Sequence, residues 1–313
     1  MGFVEILILI IAIVIFVMLF LYLTIGEICY RLCLKRRSIA EKVVNYEIDA
    51  IAAKLYKMDY DWWKKYDFKK VCVIGHNNAK LYPLFLKVND SKKVAIVIHG
   101  YFARYVEMNK YAEMFLEFGY NLVVTQNLGH GESEGDYVGM GWLDRLDILK
   151  IIDKVIQKFG DDCEIIIFGL SMGGATVCML SGEKLPKNVT HLISDCGYTN
   201  VYDEFKFFIS NIVPIPFWLT MMLFNDYAKL RCGYSLKEAD SIKQLPKCKV
   251  PILFIHGKDD RVVPYEMINK LYSATPKHLR HKKSFSKAGH AECLPAYEKE
   301  YKETILKFLR IRV

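Results

Sequence analysis

The sequence predicts an α/β chain: a mainly parallel sheet with helices on both faces, a helical cap inserted late in the order, and one N-terminal transmembrane helix. Three observations carry this. Short apolar runs, such as Val94 to Ile98, alternate with amphipathic stretches, the pattern of a sheet buried on both faces. One such run, Cys163 to Phe168, ends in Gly169-Leu170-Ser171-Met172-Gly173 and passes at once into a helix-like stretch, Gly174 to Leu180. Ile6 to Gly26 carries no charge, and as a helix it spans roughly 30 Å, one hydrocarbon thickness. The chain divides accordingly into an anchor (1–30), a basic juxtamembrane helical linker (31–70) and one α/β domain (71–313) with a cap at about 198–245. About 240 residues suffice for one large core.

The apolar run is too long for a signal-peptide core, and no A-x-A-like cleavage site follows it, so it reads as an uncleaved span. Arg31, Lys35, Arg36 and Arg37 follow directly, which favours the cytoplasmic side for the rest of the chain over the extracellular side. Nine cysteines, an odd number with several inside apolar runs, read as reduced core residues and not as a disulfide framework. No C-x-x-C or Cys/His metal spacing occurs, and no metal or cofactor is expected.

The formal charge is +8, and residues 31–70 hold eleven Lys/Arg against six Asp/Glu. A basic cluster beside a membrane is attracted to anionic lipid. That accounts for the balance without nucleic acid, for which no finger, zipper or RNP-like pattern is present. Residues 39–58 look helical, with Val43, Tyr46, Ala50, Ala53 and Leu55 among charges. Trp62 and Trp63 either touch lipid headgroups or cover the sheet's edge.

In the domain, the run Val94–Ile98 leads into His99-Gly100-Tyr101-Phe102, and the run Tyr120–Gln126 into Asn127-Leu128-Gly129-His130-Gly131-Glu132-Ser133. After Gly141 a helix is expected, with Leu146, Leu149, Ile152, Ile156 and Phe159 as its core stripe. Between Asp195 and Val250 lies an insert whose middle is rich in large apolar residues: Phe205, Phe207, Phe208, Ile212, Ile215, Phe217, Trp218, Met221, Met222 and Phe224. Pro214 and Pro216 break it into helical pieces.

The G-x-S-x-G turn points to chemistry. A serine on a strained strand-to-helix turn exposes its hydroxyl, and the flanking glycines leave room for close strand–helix approach. That hydroxyl needs a base, and the base needs a carboxylate to hold its tautomer. In chain order the acid and then the histidine should follow. His290, in a Gly-His loop after the extended run His281–Phe285, fits the base. His256 reads as packed at a strand end, and His278 and His281 lie among lysines and arginines as solvated residues. The acid lies in His256-Gly257-Lys258-Asp259-Asp260-Arg261-Val262-Val263-Pro264, where Asp259 and Asp260 both offer a carboxylate. The backbone N–H of Met172, directly after the serine, is one expected oxyanion donor.

These motifs resemble the α/β-hydrolase family over about residues 70–313. The family's late-strand motif, H-G-x-x-D-x-x-V-P, aligned on His256, Gly257, Val263 and Pro264, implies Asp260 as the acid and leaves Asp259 as a turn residue. Its H-G pair at His99-Gly100 implies the N–H of Tyr101 as the second oxyanion donor, with His99 structural. Its D-x-R-G-H-G-x-S motif keeps Gly129, His130, Gly131 and Ser133 here but has Gln126 and Leu128 for the Asp and Arg, which removes a structural ion pair. The insert corresponds to the family's cap. The run Tyr137–Asp147 is similar to bacterial membrane-anchored hydrolases of the monoacylglycerol lipase and serine aminopeptidase branch. The resemblance implies a serine hydrolase that cleaves carboxylic esters through an acyl-enzyme. The expected partners are a small-molecule ester or lipid-like substrate under the apolar cap and membrane lipid around the anchor. A peptidase or amidase on the same triad, or a non-catalytic membrane scaffold, are the alternatives.

Overall fold

A computed structural model describes residues 2–36, 60–209 and 216–310. The expected linker helix at 39–58, the residues Ile212, Pro214 and Ile215, and the side chains of Phe207 and Phe208 lie outside what is described.

Ten strands are described: β1 (Lys69–Lys70), β2 (Val73–Ile74), β3 (Lys80–Leu81), β4 (Leu84–Leu86), β5 (Lys93–Ile98), β6 (Asn121–Val124), β7 (Glu164–Leu170), β8 (Val189–Asp195), β9 (Ile252–Gly257) and β10 (Arg280–Phe285). Eight of them form one sheet in the order β1-β4-β6-β5-β7-β8-β9-β10, and β2 pairs with β3 apart from it. From β6 to β10 every pairing is parallel; β4 and β1 run antiparallel at one edge. Helices follow: α1 (Phe3–Cys33), α2 (Asn109–Glu117), α3 (Asp144–Phe159), α4 (Met172–Leu180), α5 (Val201–Ile209), α6 (Phe217–Cys232), α7 (Glu266–Ala274) and α8 (Glu298–Phe308), with several single turns between them.

The period of two along a strand assigns residues to the two cores. Val94, Ile96, Ile98, Ile165 and Ile167 face α3, α4 and α7. Ala95, Val97, Ile166 and Phe168 face α2 and α8, where Tyr111, Phe115, Tyr301 and Ile305 are buried. Trp62 and Trp63 belong to this second core, 4% and 7% exposed, and the Trp63 indole N–H donates to the Val106 carbonyl at 3.0 Å. They cover the protein interior and do not reach toward lipid.

Helix α3 starts at Asp144, and its core stripe is turned from the expected one. Ile148, Ile151, Ile152, Val155 and Phe159 are buried, whereas Leu149 and Ile156 lie on the flank. The apolar arc on this helix is wide, so periodicity marks the face without fixing its centre. His281 also departs from expectation: it is partly buried against Phe308, with ring centroids 5.3 Å apart.

A third core joins the cap to α1. Phe205, Met221, Phe224, Tyr227 and Ala228 pack with Ile25, Cys29, Tyr30, Cys33 and Leu34. A Cβ on Gly26 would lie 2.4 Å from the Tyr227 ring, so only glycine permits this approach. The Tyr227 hydroxyl donates to Glu27 at 2.7 Å. Upstream of this contact α1 is exposed, and it is long and apolar enough to cross a membrane. Much of the cap's apolar content is therefore spent on α1, while Trp218 and Met222 face outward. None of the nine cysteines is disulfide-bonded, and only Cys72 is exposed.

Candidate active site

Parallel register brings the ends of β5, β7, β8, β9 and β10 to one rim. Ile98 pairs with Gly169, Leu170 with Asp195, Asp195 with Ile255, and Phe285 with Gly257. The loops that leave this rim carry the residues singled out by the motifs, as expected where ligand sites form outside the carboxyl ends of parallel strands.

Ser171 sits between β7 and α4 with φ 56° and ψ −115°, a strained conformation for a non-glycine residue. The glycines around it are sterically required. A Cβ on Gly169 would lie 2.0 Å from the Gly173 carbonyl oxygen, and one on Gly173 would lie 2.3 Å from that of Ile98. Met172 is the first residue of α4, so its N–H has no acceptor within the helix and adds to the positive end of the helix dipole. The His99–Phe102 loop runs against the serine: a Cβ on Gly100 would lie 3.5 Å from the Ser171 Cβ.

The Ser171 Oγ is 2.9 Å from His290 Nε2, and His290 Nδ1 is 2.8 Å from Asp260 Oδ2. The loop bearing His290 is tightly tied. Ala291 takes φ 59°, the Gly289 N–H donates to the Glu292 carboxylate at 2.8 Å, and a Cβ on Gly257 would collide with the Ala288 carbonyl at 2.2 Å. Asp260 is buried and Asp259 is exposed. The Oδ1 of Asp260 accepts the N–H groups of Val262 and Val263 at 2.9 Å each. Burial pushes its carboxyl up, but hydrogen bonds from His256 and His290, with their charge, outweigh burial and hold it well below the usual carboxylate range.

His99 and His130 bond to nearby backbone. His99 Nδ1 pairs with the Gly100 carbonyl at 2.8 Å, and its Nε2 accepts the Asn127 N–H at 3.1 Å. His130 Nδ1 pairs with the Leu128 carbonyl at 2.9 Å, and its Nε2 accepts the N–H of Phe102 at 3.1 Å. Gln126 replaces the lost ion pair with neutral bonds: its amide donates to the Tyr82 carbonyl at 2.6 Å and accepts the Glu132 N–H at 3.1 Å. Leu128 is buried. The Tyr137–Asp147 run is a bracket under the cap. Tyr198 and Tyr234 donate to the Met140 and Val138 carbonyls at 3.0 and 2.9 Å, and Asp144 accepts the Gly141 N–H at 2.7 Å.

Sequence reasoning missed three neighbours. His256, read as a packed strand-end residue, has its Nε2 3.1 Å from Asp260 Oδ2. Cys196, with φ 44°, brings its sulfur within 4.8 Å of ligand atoms of Asp260 and His290. Burial, together with the charges of Asp195 and Asp260, pushes that thiol well up and favours its S–H form. The Tyr101 hydroxyl donates to the Cys33 carbonyl of α1 at 2.5 Å, which ties the loop beside Ser171 to the apolar helix. The Cys196 and Tyr101 contacts are made across the fold and no motif signals them; His256 lies four residues before Asp260, and only the folded turn shows that its ring reaches the carboxylate.

Met172, next to Ser171, belongs to the apolar cluster that also takes in Phe205, Val263 and Met267, with Tyr101 and Phe102 packed against it. A cleft of about 500 Å³ opens between the cap and α7, lined by Asp203, Lys206, Phe217, Pro264, Glu266, Met267 and Lys270.

A hydrolase family model described as serine aminopeptidase, S33, matches residues 89–227. The uncharacterized protein YqkD of Bacillus subtilis (strain 168) is 26% identical over 229 residues, covering 71% of this chain and 72% of that protein. The lysophosphatidylserine lipase ABHD12 of Rattus norvegicus is 24% identical over 216 residues, covering 68% of this chain but only 50% of that protein. Among solved structures, the Pyrococcus furiosus esterase Pf2001 superposes with a TM-score of 0.63 at 22% identity, covering 80% of this chain and 92% of that one, a likeness of fold.

Proposed function

Because the chain belongs to the α/β-hydrolase family, we propose that it is a membrane-anchored serine hydrolase cleaving carboxylic esters of acyl or lipid-like substrates. The observation that carries the reading is the unbroken series Ser171 Oγ, His290 Nε2, His290 Nδ1, Asp260 Oδ2, with spacings of 2.9 and 2.8 Å. Ser171 attacks the carbonyl carbon while His290 Nε2 takes its proton. Asp260 holds the Nδ1–H tautomer and stabilises the imidazolium. The N–H groups of Met172 and Tyr101 receive the oxyanion. His290 then protonates the leaving alcohol, and water, deprotonated in turn by His290, releases the acid.

The apolar cluster that holds Met172 and Phe205 supports an acyl group, and the exposed apolar length of α1 supports a bilayer anchor. Arg31, Lys35 and Arg36 after the span, with nine cysteines that form no disulfide, support the cytoplasmic face. The test is a fluorophosphonate probe and p-nitrophenyl esters of two to sixteen carbons on the detergent-solubilised full chain and its Ser171→Ala variant. Labelling and turnover should both vanish in the variant. A full chain that is folded but neither labelled nor active would leave only a non-catalytic role.

A second reading, a peptidase on the same triad, is favoured by one observation: Asp203, Lys206, Glu266 and Lys270 line the open cleft, where a peptide terminus could pair. Faster turnover of aminoacyl anilides than of any ester would select it.

A further inference from the structure

His256 is the penultimate residue of β9 and is 1% exposed. Its Nε2 faces two acceptors at once, Asp260 Oδ2 at 3.1 Å and the Val263 carbonyl at 3.0 Å. A bare lone pair there would repel both, so Nε2 carries the proton and shares it. Nδ1 is buried without a hydrogen-bonding partner among the described residues. The ring's polar contacts therefore converge on Asp260 and on the turn that follows it.

Asp260 in consequence accepts on both oxygens. Oδ1 takes two backbone N–H groups, and Oδ2 takes His290 Nδ1–H and His256 Nε2–H. The last two compete for one oxygen.

We propose that His256 is a positioning residue for this site: by donating to the Asp260 oxygen that His290 also uses, it locks the carboxylate rotamer and limits how strongly the carboxylate holds the His290 proton. The proposal rests on the Ser171–His290–Asp260 reading. Its physical content is a division of charge. An oxygen that serves two donors offers less electron density to each. His290 is then oriented without being over-stabilised as imidazolium, and it can pass its proton to the leaving group. Without His256, the carboxylate would concentrate on His290 and also gain freedom to rotate.

The other titratable groups around Asp260 are Asp195 at the end of β8, Cys196 after it, Glu204 on α5 and Cys293 in the turn before α8. Asp195 is itself held by the Tyr301 hydroxyl at 2.7 Å. None of them hydrogen-bonds Asp260 Oδ2 in place of His256, so substituting His256 leaves them as constant background.

The experiment compares His256→Gln, whose amide N–H reaches the place of Nε2, with His256→Phe, which fills the volume without a donor. Both are made in the full chain. Ester turnover is measured against pH and normalised to fluorophosphonate-reactive sites, so unfolded protein does not count. Phe should lower kcat between roughly tenfold and 10²-fold with KM nearly unchanged. It should move the acid limb of kcat/KM upward by about half a unit or more. Gln should restore kcat and the profile to within about threefold of the parent. Nitrogen-15 NMR of the His290 ring gives the same comparison without turnover: its titration should move upward in Phe and return in Gln. An unmoved titration in Phe, or a Gln variant as impaired as Phe, overturns the proposal. A parent chain that the probe does not label overturns the triad reading instead, while the NMR comparison still decides the role of His256.

Discussion

Replacing Asp260 by Asn tests the site most severely, because the carboxylate accepts four N–H donors at 2.8 to 3.1 Å, two on each oxygen. An amide keeps one acceptor, so either orientation points its NH2 at two donors. With NH2 toward the imidazoles, the His290 Nδ1–H has no acceptor. The ring then favours the Nε2–H tautomer, which cannot take the Ser171 proton. With NH2 toward the backbone, the buried N–H groups of Val262 and Val263 are stranded at about 1–3 kcal/mol each. The expected loss in kcat/KM is roughly 10⁴-fold, about 5.5 kcal/mol of transition-state stabilisation. Asp259→Asn is the control: its side chain is exposed, and activity should stay within about twofold. The assay is p-nitrophenyl butyrate hydrolysis by the solubilised full chain, with a thermal melt to confirm folding. Asp260→Asn retaining more than about a tenth of parent activity, or Asp259→Asn losing as much, would refute the reasoning.

Removing residues 2–36 should destabilise the domain rather than merely detach it. Buried Ile25 and Leu34 alone represent about 3–6 kcal/mol of apolar burial, and the Tyr101 hydroxyl loses its Cys33 acceptor. A truncated protein with the full chain's melting temperature and kcat would contradict this. Stability should also fall as pH rises from about 5 to 8. Burial first, then Asp147, raises Asp144 to about 7; burial, then Asp260, raises Glu204 to about 8; burial raises Asp195 to about 6. Through that window these three carboxyls hold more protons in the folded chain than in the unfolded one, where carboxyls titrate near 4, and they outnumber His281, which burial shifts downward with the opposite effect. The Asp260 carboxyl is shifted the other way; its stabilisation is complete above the unfolded range and is lost only in strong acid. Urea midpoints at pH 5.5 and 8.5 check the slope, which Asp144→Asn should flatten; a midpoint that rises with pH would be the wrong sign.

What the sequence determined by itself was local. Steric rules make glycine necessary around Ser171, a period of two sorts Val94–Ile98 between two cores, and an uncharged run marks the exposed length of α1. These follow from forces acting within a few residues. The residues alone left Asp259 and Asp260 open, and the family resemblance was needed to prefer one. Tertiary structure decided what depends on distant neighbours. It chose which aspartate turns inward, rotated the buried stripe of α3, and drew Trp62 and Trp63 into the core. It also placed α1 on the cap, while the turn after β9 folded His256 against Asp260, four residues on. Ser171 and His290 are 119 positions apart, and parallel strand register is what sets their side chains 2.9 Å from each other. Periodicity and turn chemistry say which elements form; the packing of those elements against one another selects the side chains that meet.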